Sequence, residues 1–130
     1  MNDKIAVPQS IKLHTRSREL ELIYADDLRF ALPCEYLRVF SPSAEVRGHG
    51  TGQEVLQVGK INVAISEIKP VGNYALQLVF DDGHDTGIYS WDYLYQLGSQ
   101  QQQRWQHYLE QRDAAGASRD PEVQVLHFDP

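Results

Sequence analysis

The sequence predicts an α+β fold, an antiparallel β-rich domain with two or three short helices. Runs of residues that alternate between apolar and polar, each bounded by turn-forming residues, predict strands before Ser90. Apolar residues at helical spacing follow after it. A length of 130 residues fits one domain with one hydrophobic core.

A β-hairpin and a third strand are predicted at the start of the chain. Residues 11–14 and 20–24 alternate with period two on either side of the polar segment 15–18, which is typical of a hairpin. Turn-forming residues at 25–27 precede another alternating run, residues 28–32. We assign that run to the same sheet, with its apolar side chains facing a core.

A short helix and a long irregular loop are predicted next. Pro33 suits the first position of a helix, because the N–H that proline lacks would be unpaired there. Apolar residues follow at helical spacing, and we expect about two turns that end before Pro42. Residues 41–59 carry four glycines and few large apolar residues, which predicts an irregular loop. Loops of this length are usually functional or mobile.

The strongest hairpin signal lies in the middle of the chain. Residues 60–68 and 74–80 form apolar runs on either side of a turn at 70–73. A polar turn at 81–85 and a β-prone run at 86–89 then predict a further antiparallel strand.

Two helices are predicted after the strands. Ser90 can cap the first helix and Gly98 is predicted to end it. Ser99 and Gln102 have the spacing of a capping box that begins the second. The apolar stripes of the two helices consist of Trp91, Leu94 and Leu97, and of Trp105, Tyr108 and Leu109. Beyond Glu110 the chain is small and polar, which predicts a loosely held tail.

Charge, hydropathy and cysteine content exclude several classes of function. With 12 Lys and Arg against 18 Asp and Glu the net charge is −6, and the arginines are scattered, so we expect no nucleic-acid partner. Neither a signal-peptide core nor an apolar membrane span is present, so we expect a cytoplasmic protein with no membrane partner. The lone Cys34 lies in the predicted first helical turn, which favours a buried structural thiol over a nucleophile.

His84 is the candidate metal ligand or general base. It lies in a turn between two predicted strands, flanked by Asp82 and Asp85, where a ligand or a base can reach solvent. We favour the alternative of a turn histidine held by the neighbouring carboxylates. His49, in the long loop, is a further candidate ligand.

Two other patterns are assigned no function. His127 and Asp129 match half of the two-histidine, one-carboxylate triad that binds iron, but the second histidine would have to follow Pro130. The glycine-rich segment 48–52 lacks the Lys-Ser/Thr pair of a phosphate-binding loop, and we interpret it as a flexible loop.

Two segments together resemble a known family. Residues 82–91, of sequence DGHDTGIYSW, follow residues 71–76, of sequence VGNYAL, at a specific spacing, with Leu37-Arg38 before them and Tyr93-Leu94 after them. These segments are similar to the gamma-butyrobetaine hydroxylase-like N-terminal domain, also called domain of unknown function 971. The resemblance predicts that domain at residues 10–97, with a C-terminal helix and a loosely ordered tail at residues 98–130.

The resemblance implies a zinc site whose ligands this chain has lost. In the hydroxylases of the family, three cysteines and a histidine hold the zinc. The resemblance places the cysteines at Ser41, Ser43 and Val46, and the histidine at His84. Serine and valine supply neither the charge nor the softness of a thiolate. We therefore expect no zinc and no other cofactor.

The resemblance also implies an accessory role. In the hydroxylases the domain precedes a 2-oxoglutarate-dependent iron oxygenase domain, and elsewhere it is fused to iron–sulfur cluster carrier ATPases. We expect a non-catalytic protein-interaction domain, not an enzyme, whose unknown protein partner is an oxygenase or an iron–sulfur assembly factor. A symmetric homodimer is a further expectation. The alternative is a metal-binding protein that holds iron or zinc through His84.

Overall fold

The computed structural model describes residues 6–48 and 54–123. In this part of the chain, two three-stranded antiparallel sheets combine with four helices, so the α+β prediction is confirmed. The strands are β1 (Ser10–His14), β2 (Glu19–Ile23), β3 (Arg29–Pro33), β4 (Ile65–Val71), β5 (Ala75–Phe80) and β6 (Ile88–Ser90). The helices are α1 (Cys34–Val39), α2 (Ala44–Arg47), α3 (Trp91–Ser99) and α4 (Gln101–Ala115).

The first sheet forms as the period-two alternation predicts. Its central strand is β2, in which Leu22 lies opposite Ile11 of β1 and Leu20 lies opposite Leu32 of β3. Leu20, Leu22 and Leu32 are fully buried, so one face of this sheet covers the core. The predicted turn at 25–27 forms a single 3-10 turn.

The second sheet has β5 at its centre. Leu78 and Phe80 of β5 are buried in the core, and Leu78 lies opposite Ile68 of β4. The edge strand β4 carries Pro70, which cannot donate to a further strand, and the exposed Lys69. Both features limit the addition of another chain to this edge.

The helices differ from the prediction in number. A fourth helix, α2, lies inside the segment 41–59 that the sequence predicts to be irregular. Helix α1 begins at Cys34, one residue after the predicted start, since Pro33 ends β3. Cys34 is buried, as predicted, and burial raises the pKa of its thiol. Within the described residues, none of the helices has both the length and the apolarity that a membrane crossing requires.

Gly98 lies inside α3 instead of ending it. A Cβ at this position would overlap the Phe30 ring, so glycine is present because α3 packs closely on β3. At the other end of α3, the predicted cap is confirmed, since the Ser90 hydroxyl accepts a hydrogen bond of 3.1 Å from the Tyr93 N–H. The predicted capping box does not form, because the Ser99 hydroxyl donates back to the Tyr95 carbonyl at 2.9 Å.

The segment after α4 is held more firmly than the composition suggests. The helix continues past Glu110 to Ala115 and ends at Gly116, in the left-handed conformation. Nε and Nη2 of Arg119 then donate to the two carboxylate oxygens of Glu35, each at 2.7 Å. Residues 124–130 lie outside the described residues, and the division of the chain after residue 97 stays a prediction.

Candidate functional site

His84 lies in the turn between β5 and β6, as predicted, but its side chain is buried instead of reaching solvent. The turn closes through the Phe80 N–H, which donates to the His84 carbonyl at 2.9 Å, and through Gly83, whose φ of 90° favours glycine. The imidazole thereby points inward, toward the segment that joins α1 to α2.

Both ring nitrogens of His84 have partners inside the protein. Nδ1 lies 3.2 Å from Oε2 of Glu45, and Nε2 lies 2.8 Å from Oγ of Ser41 and 3.4 Å from Oγ of Ser43. A neutral ring protonated at Nδ1 donates to the carboxylate and accepts from the nearer hydroxyl, that of Ser41, so one tautomer gives each ring nitrogen a partner. We call His84, Ser41, Ser43 and Glu45 the His84 cluster.

The structure brings together the positions that the family resemblance singles out. Ser41 and Ser43 contact His84 directly, and Val46 is buried in α2 beside them in sequence. Glu45 was not identified from the sequence, because it lies on a helix that the pattern did not predict and far from His84 along the chain. His49, His127 and Asp129 lie outside the described residues.

Asp82 does not contact the imidazole, although the sequence places it two residues away. One of its carboxylate oxygens accepts from the backbone N–H of His84, and the other accepts from Arg38 at 2.9 Å and from Lys60 at 2.8 Å. Burial favours the neutral acid, but the hydrogen bonds from Lys60, the His84 N–H and Arg38 outweigh it and lower the pKa of Asp82 to about 2. Asp82 is therefore ionised at neutral pH, and its carboxylate holds the turn in place through these hydrogen bonds.

The surroundings of His84 favour its neutral form. Burial lowers the pKa of the imidazole below its ordinary value, and the positive charge of Arg38 lowers it further. The carboxylates of Glu45 and Asp82 act in the opposite direction without reversing the shift. At neutral pH the imidazole is thus uncharged, with the two hydroxyls at its Nε2 and the Glu45 carboxylate at its Nδ1.

Comparison with known proteins places the chain in a family. The sequence model described as "Gamma-butyrobetaine hydroxylase-like, N-terminal" matches residues 11–95, which include the whole His84 cluster. The chain belongs to this family of gamma-butyrobetaine hydroxylase-like N-terminal domains. The resemblance carried by the DGHDTGIYSW segment is therefore confirmed. No curated protein matches the chain.

Solved structures resemble this gamma-butyrobetaine hydroxylase-like domain over most of its length. One NMR solution structure is 49% identical, with a TM-score of 0.81, and the match covers 96% of this chain and 98% of that one. Another is 48% identical, with a TM-score of 0.76, and covers 100% and 99%. A crystal structure from Acidithiobacillus ferrooxidans ATCC 23270, of a protein with unknown function in the domain of unknown function 971 family, is 40% identical. Its TM-score is 0.59, and the match covers 70% of this chain and 91% of that one.

The donor set of the His84 cluster does not fit the zinc site that the resemblance implies. Ser41 and Ser43 offer neutral hydroxyls, Val46 offers no donor, and the Nε2 lone pair of His84 is engaged by Ser41. Zinc in a structural site takes four charged or imidazole donors. Across residues 6–48 and 54–123, no three His, Cys, Asp or Glu side chains are grouped so that they could hold an ion.

Glu45, His84 and Ser41 have the connectivity of a carboxylate, imidazole and hydroxyl triad, which raises the question of acyl transfer. The hydroxyl is inaccessible, since Ser41 is 1% exposed and its Oγ also accepts from the Ser43 N–H at 3.3 Å. A Cβ at Gly87 would lie 2.5 Å from that Oγ, so backbone fills the space that a substrate carbonyl needs. The triad-like geometry therefore serves packing.

Proposed function

We propose that this domain is a non-catalytic accessory module of the cytoplasm that acts by binding another protein. The observation that supports this most is the internal pairing of both nitrogens of His84, at the position where the family's hydroxylases are expected to bind zinc. A ring whose lone pair and N–H are both engaged offers no free ligand to a metal and no free base to a substrate.

The hydrogen bonds of His84 and Asp82 also hold separate segments of the domain together. His84 joins the turn after β5 to the α1–α2 segment, and Asp82 joins the same turn to Arg38 of α1 and to Lys60. Buried polar networks whose members are all satisfied restrict a structure to one arrangement. A rigid surface binds a partner at a lower entropic cost than a mobile one.

The partner that the family suggests is an oxygenase or an iron–sulfur assembly factor, and a symmetric homodimer is included in the proposal. Affinity purification of the tagged chain from its own cells, followed by mass spectrometry, identifies what it binds. We expect one dominant protein partner that forms a complex of fixed stoichiometry when both purified proteins are mixed on a gel-filtration column.

The same preparation tests the two other classes of function. Consumption of 2-oxoglutarate by the pure protein supplied with iron(II) would establish an enzyme and contradict the proposal. A chain that stays alone in its own lysate, and that also carries one equivalent of iron or zinc lost in His84→Ala, would support the metal-binding alternative.

A further inference from the structure

An open cleft of about 1180 Å³ lies next to the His84 cluster. One wall is α2 with the following residues 54–57, and the other wall is formed by α3 and α4. Its aromatic lining comes from Phe40, Tyr93 and Tyr108. Pockets for small molecules enclose roughly 300–1,000 Å³, so a cleft of this size and openness suits an extended peptide better than a metabolite.

Two tyrosines of the lining are fixed by hydrogen bonds to backbone carbonyls. The Tyr93 hydroxyl donates to the Phe40 carbonyl at 2.6 Å, and the Tyr108 hydroxyl donates to the Gln57 carbonyl at 2.6 Å. Both phenol groups are therefore satisfied within the protein. The Tyr108 ring is buried, whereas the Tyr93 ring is half-buried and in part remains for contact.

Two arginines of this cleft lie near the same aromatic ring. The guanidinium carbon of Arg47, at the end of α2, lies 5.0 Å from the centre of the Tyr93 ring, and that of Arg104, on α4, lies 5.8 Å from it. Arg104 also lies 5.8 Å from the Phe40 ring, and its Nε donates to Gln100 Oε1 at 3.0 Å. Cation–π attraction to these rings helps to hold both guanidinium groups in place.

Neither arginine has a carboxylate partner among the described residues. Asp92 and Glu54 line the same cleft, but neither lies within 4.0 Å of a guanidinium nitrogen, and Asp92 accepts from Gln96 at 3.0 Å. Four other arginines do have carboxylate partners within 4.0 Å: Arg29, Arg38, Arg112 and Arg119. Both arginines line the cleft, so an anionic group that enters it is attracted by two charges that no ion pair among the described residues neutralises.

We propose that this cleft binds an extended segment of the partner protein in which a carboxylate side chain is flanked by apolar residues. Arg47 and Arg104 bind the carboxylate, and the half-buried rings of Phe40 and Tyr93 contact the apolar neighbours. This inference rests on the proposed function and specifies the chemistry of its partner. The net charge of −6 repels a polyanion such as nucleic acid, whereas a single carboxylate responds mainly to the two nearest charges.

The test uses fluorescence anisotropy to measure binding of a short fluorescein-labelled peptide that carries one glutamate flanked by leucines. Its comparison is the same peptide with lysine in place of the glutamate, with inorganic phosphate as a competitor. Arg47→Gln/Arg104→Gln removes both cations from the cleft. Arg16→Gln/Arg18→Gln removes the same charge from the exposed β1–β2 turn and is the matched control.

We expect the glutamate peptide to bind the intact domain and to lose about tenfold or more in affinity with the cleft variant, because that variant removes both cations that bind the carboxylate. The control variant and the lysine peptide distinguish the cleft from general charge. The inference is overturned if no binding occurs up to about 1 mM peptide. Equal losses in both variants, equal binding of the lysine peptide, or displacement by phosphate at similar concentrations would also overturn it.

The same variants separate this inference from the proposed function. If the purified partner still binds Arg47→Gln/Arg104→Gln with unchanged affinity, the cleft is not its site, although the domain remains an interaction module. If no partner is found for the intact chain, the proposed function itself fails.

Discussion

The His84 cluster and the neighbouring cleft differ in whether their polar side chains have polar partners within the protein. In the cluster, the imidazole of His84 has a protein partner at each nitrogen. In the cleft, Arg47 and Arg104 are held by aromatic rings and have no carboxylate partner in the described part of the chain. The first region is internally complete, whereas the second has charge left to offer to another molecule.

One short helix contributes to both regions. Along α2, Glu45 contacts His84, Val46 is buried, and Arg47 lies over Tyr93 in the cleft. Successive residues of a helix point in directions about 100° apart, so three consecutive side chains reach three different surroundings. Substitutions in the cluster should therefore change stability, and substitutions in the cleft should change binding.

The largest expected effect is on stability, from His84→Ala. Removing the ring leaves the hydroxyls of Ser41 and Ser43 without their partner and opens a cavity, at a cost of about 3 kcal/mol in the free energy of unfolding. Urea denaturation measures it. His107→Ala, on the exposed face of α4, is the control and should change the same quantity by less than about 0.5 kcal/mol. Equal stability of the two variants would show that the cluster is not structural.

A smaller loss is expected from Gly87→Ala. The added Cβ would lie 2.5 Å from the Ser41 hydroxyl and 3.1 Å from Cε1 of Tyr89, which forces the two segments apart and costs about 2 kcal/mol. Combining it with Ser41→Ala removes the closest clash. The double variant should therefore lose less stability than the sum of the losses of the two single variants. Strict additivity in urea denaturation would mean that Gly87 is not needed for this contact.

The pH dependence of stability should show the buried neutral state of His84. Because its pKa in the folded protein lies below the ordinary value of 6.5, the unfolded chain takes up the proton more readily. Stability is thus complete above about pH 6.5 and falls as the pH drops below it, by at most about 1.4 kcal/mol per pH unit for one proton.

His84→Gln should remove this part of the pH dependence, whereas His14→Gln, at the protein surface, should keep it. A further loss is expected where Asp82 becomes protonated, between its ordinary pKa of 3.8 and about 2. Stability that stays constant from pH 7 down to 5 in the intact chain would contradict the assignment for His84.

The smallest effect on stability is expected in the cleft. Arg47→Gln/Arg104→Gln should change the free energy of unfolding by less than about 1 kcal/mol in total, because neither guanidinium belongs to an ion pair among the described residues. Thermal denaturation at fixed salt measures this. A loss as large as that of His84→Ala would mean that the two regions do not divide stability from binding.

Most of the fold could be predicted from local patterns in the sequence. The alternation in β1, β2 and β5 and the capping serine of α3 were readable because each depends on residues close together in sequence. Gly98 was misread as a helix end, since only its contact with Phe30, on another element, explains it. The short helix α2 was missed because four residues are too few to show a helical period.

The candidate site was predictable only in part. The family resemblance aligned Ser41, Ser43 and His84, and the structure places these three in contact. The contact of Glu45 with His84 depends on where α2 lies relative to the β5–β6 turn. Similarly, Arg47 and Arg104 lie near Tyr93 only because α2, α3 and α4 are neighbours in the fold. No spacing rule within the sequence encodes such contacts between distant elements.

The metal content of the purified domain tests most directly the claim that the His84 cluster is structural. Inductively coupled plasma mass spectrometry should find iron and zinc far below one equivalent in the intact chain after exposure to zinc. Ser41→Cys/Ser43→Cys/Val46→Cys restores the thiolates that the family resemblance implies, and it should bind one equivalent of zinc through these cysteines and His84. One equivalent of metal in the intact chain, lost in His84→Ala, would contradict the account.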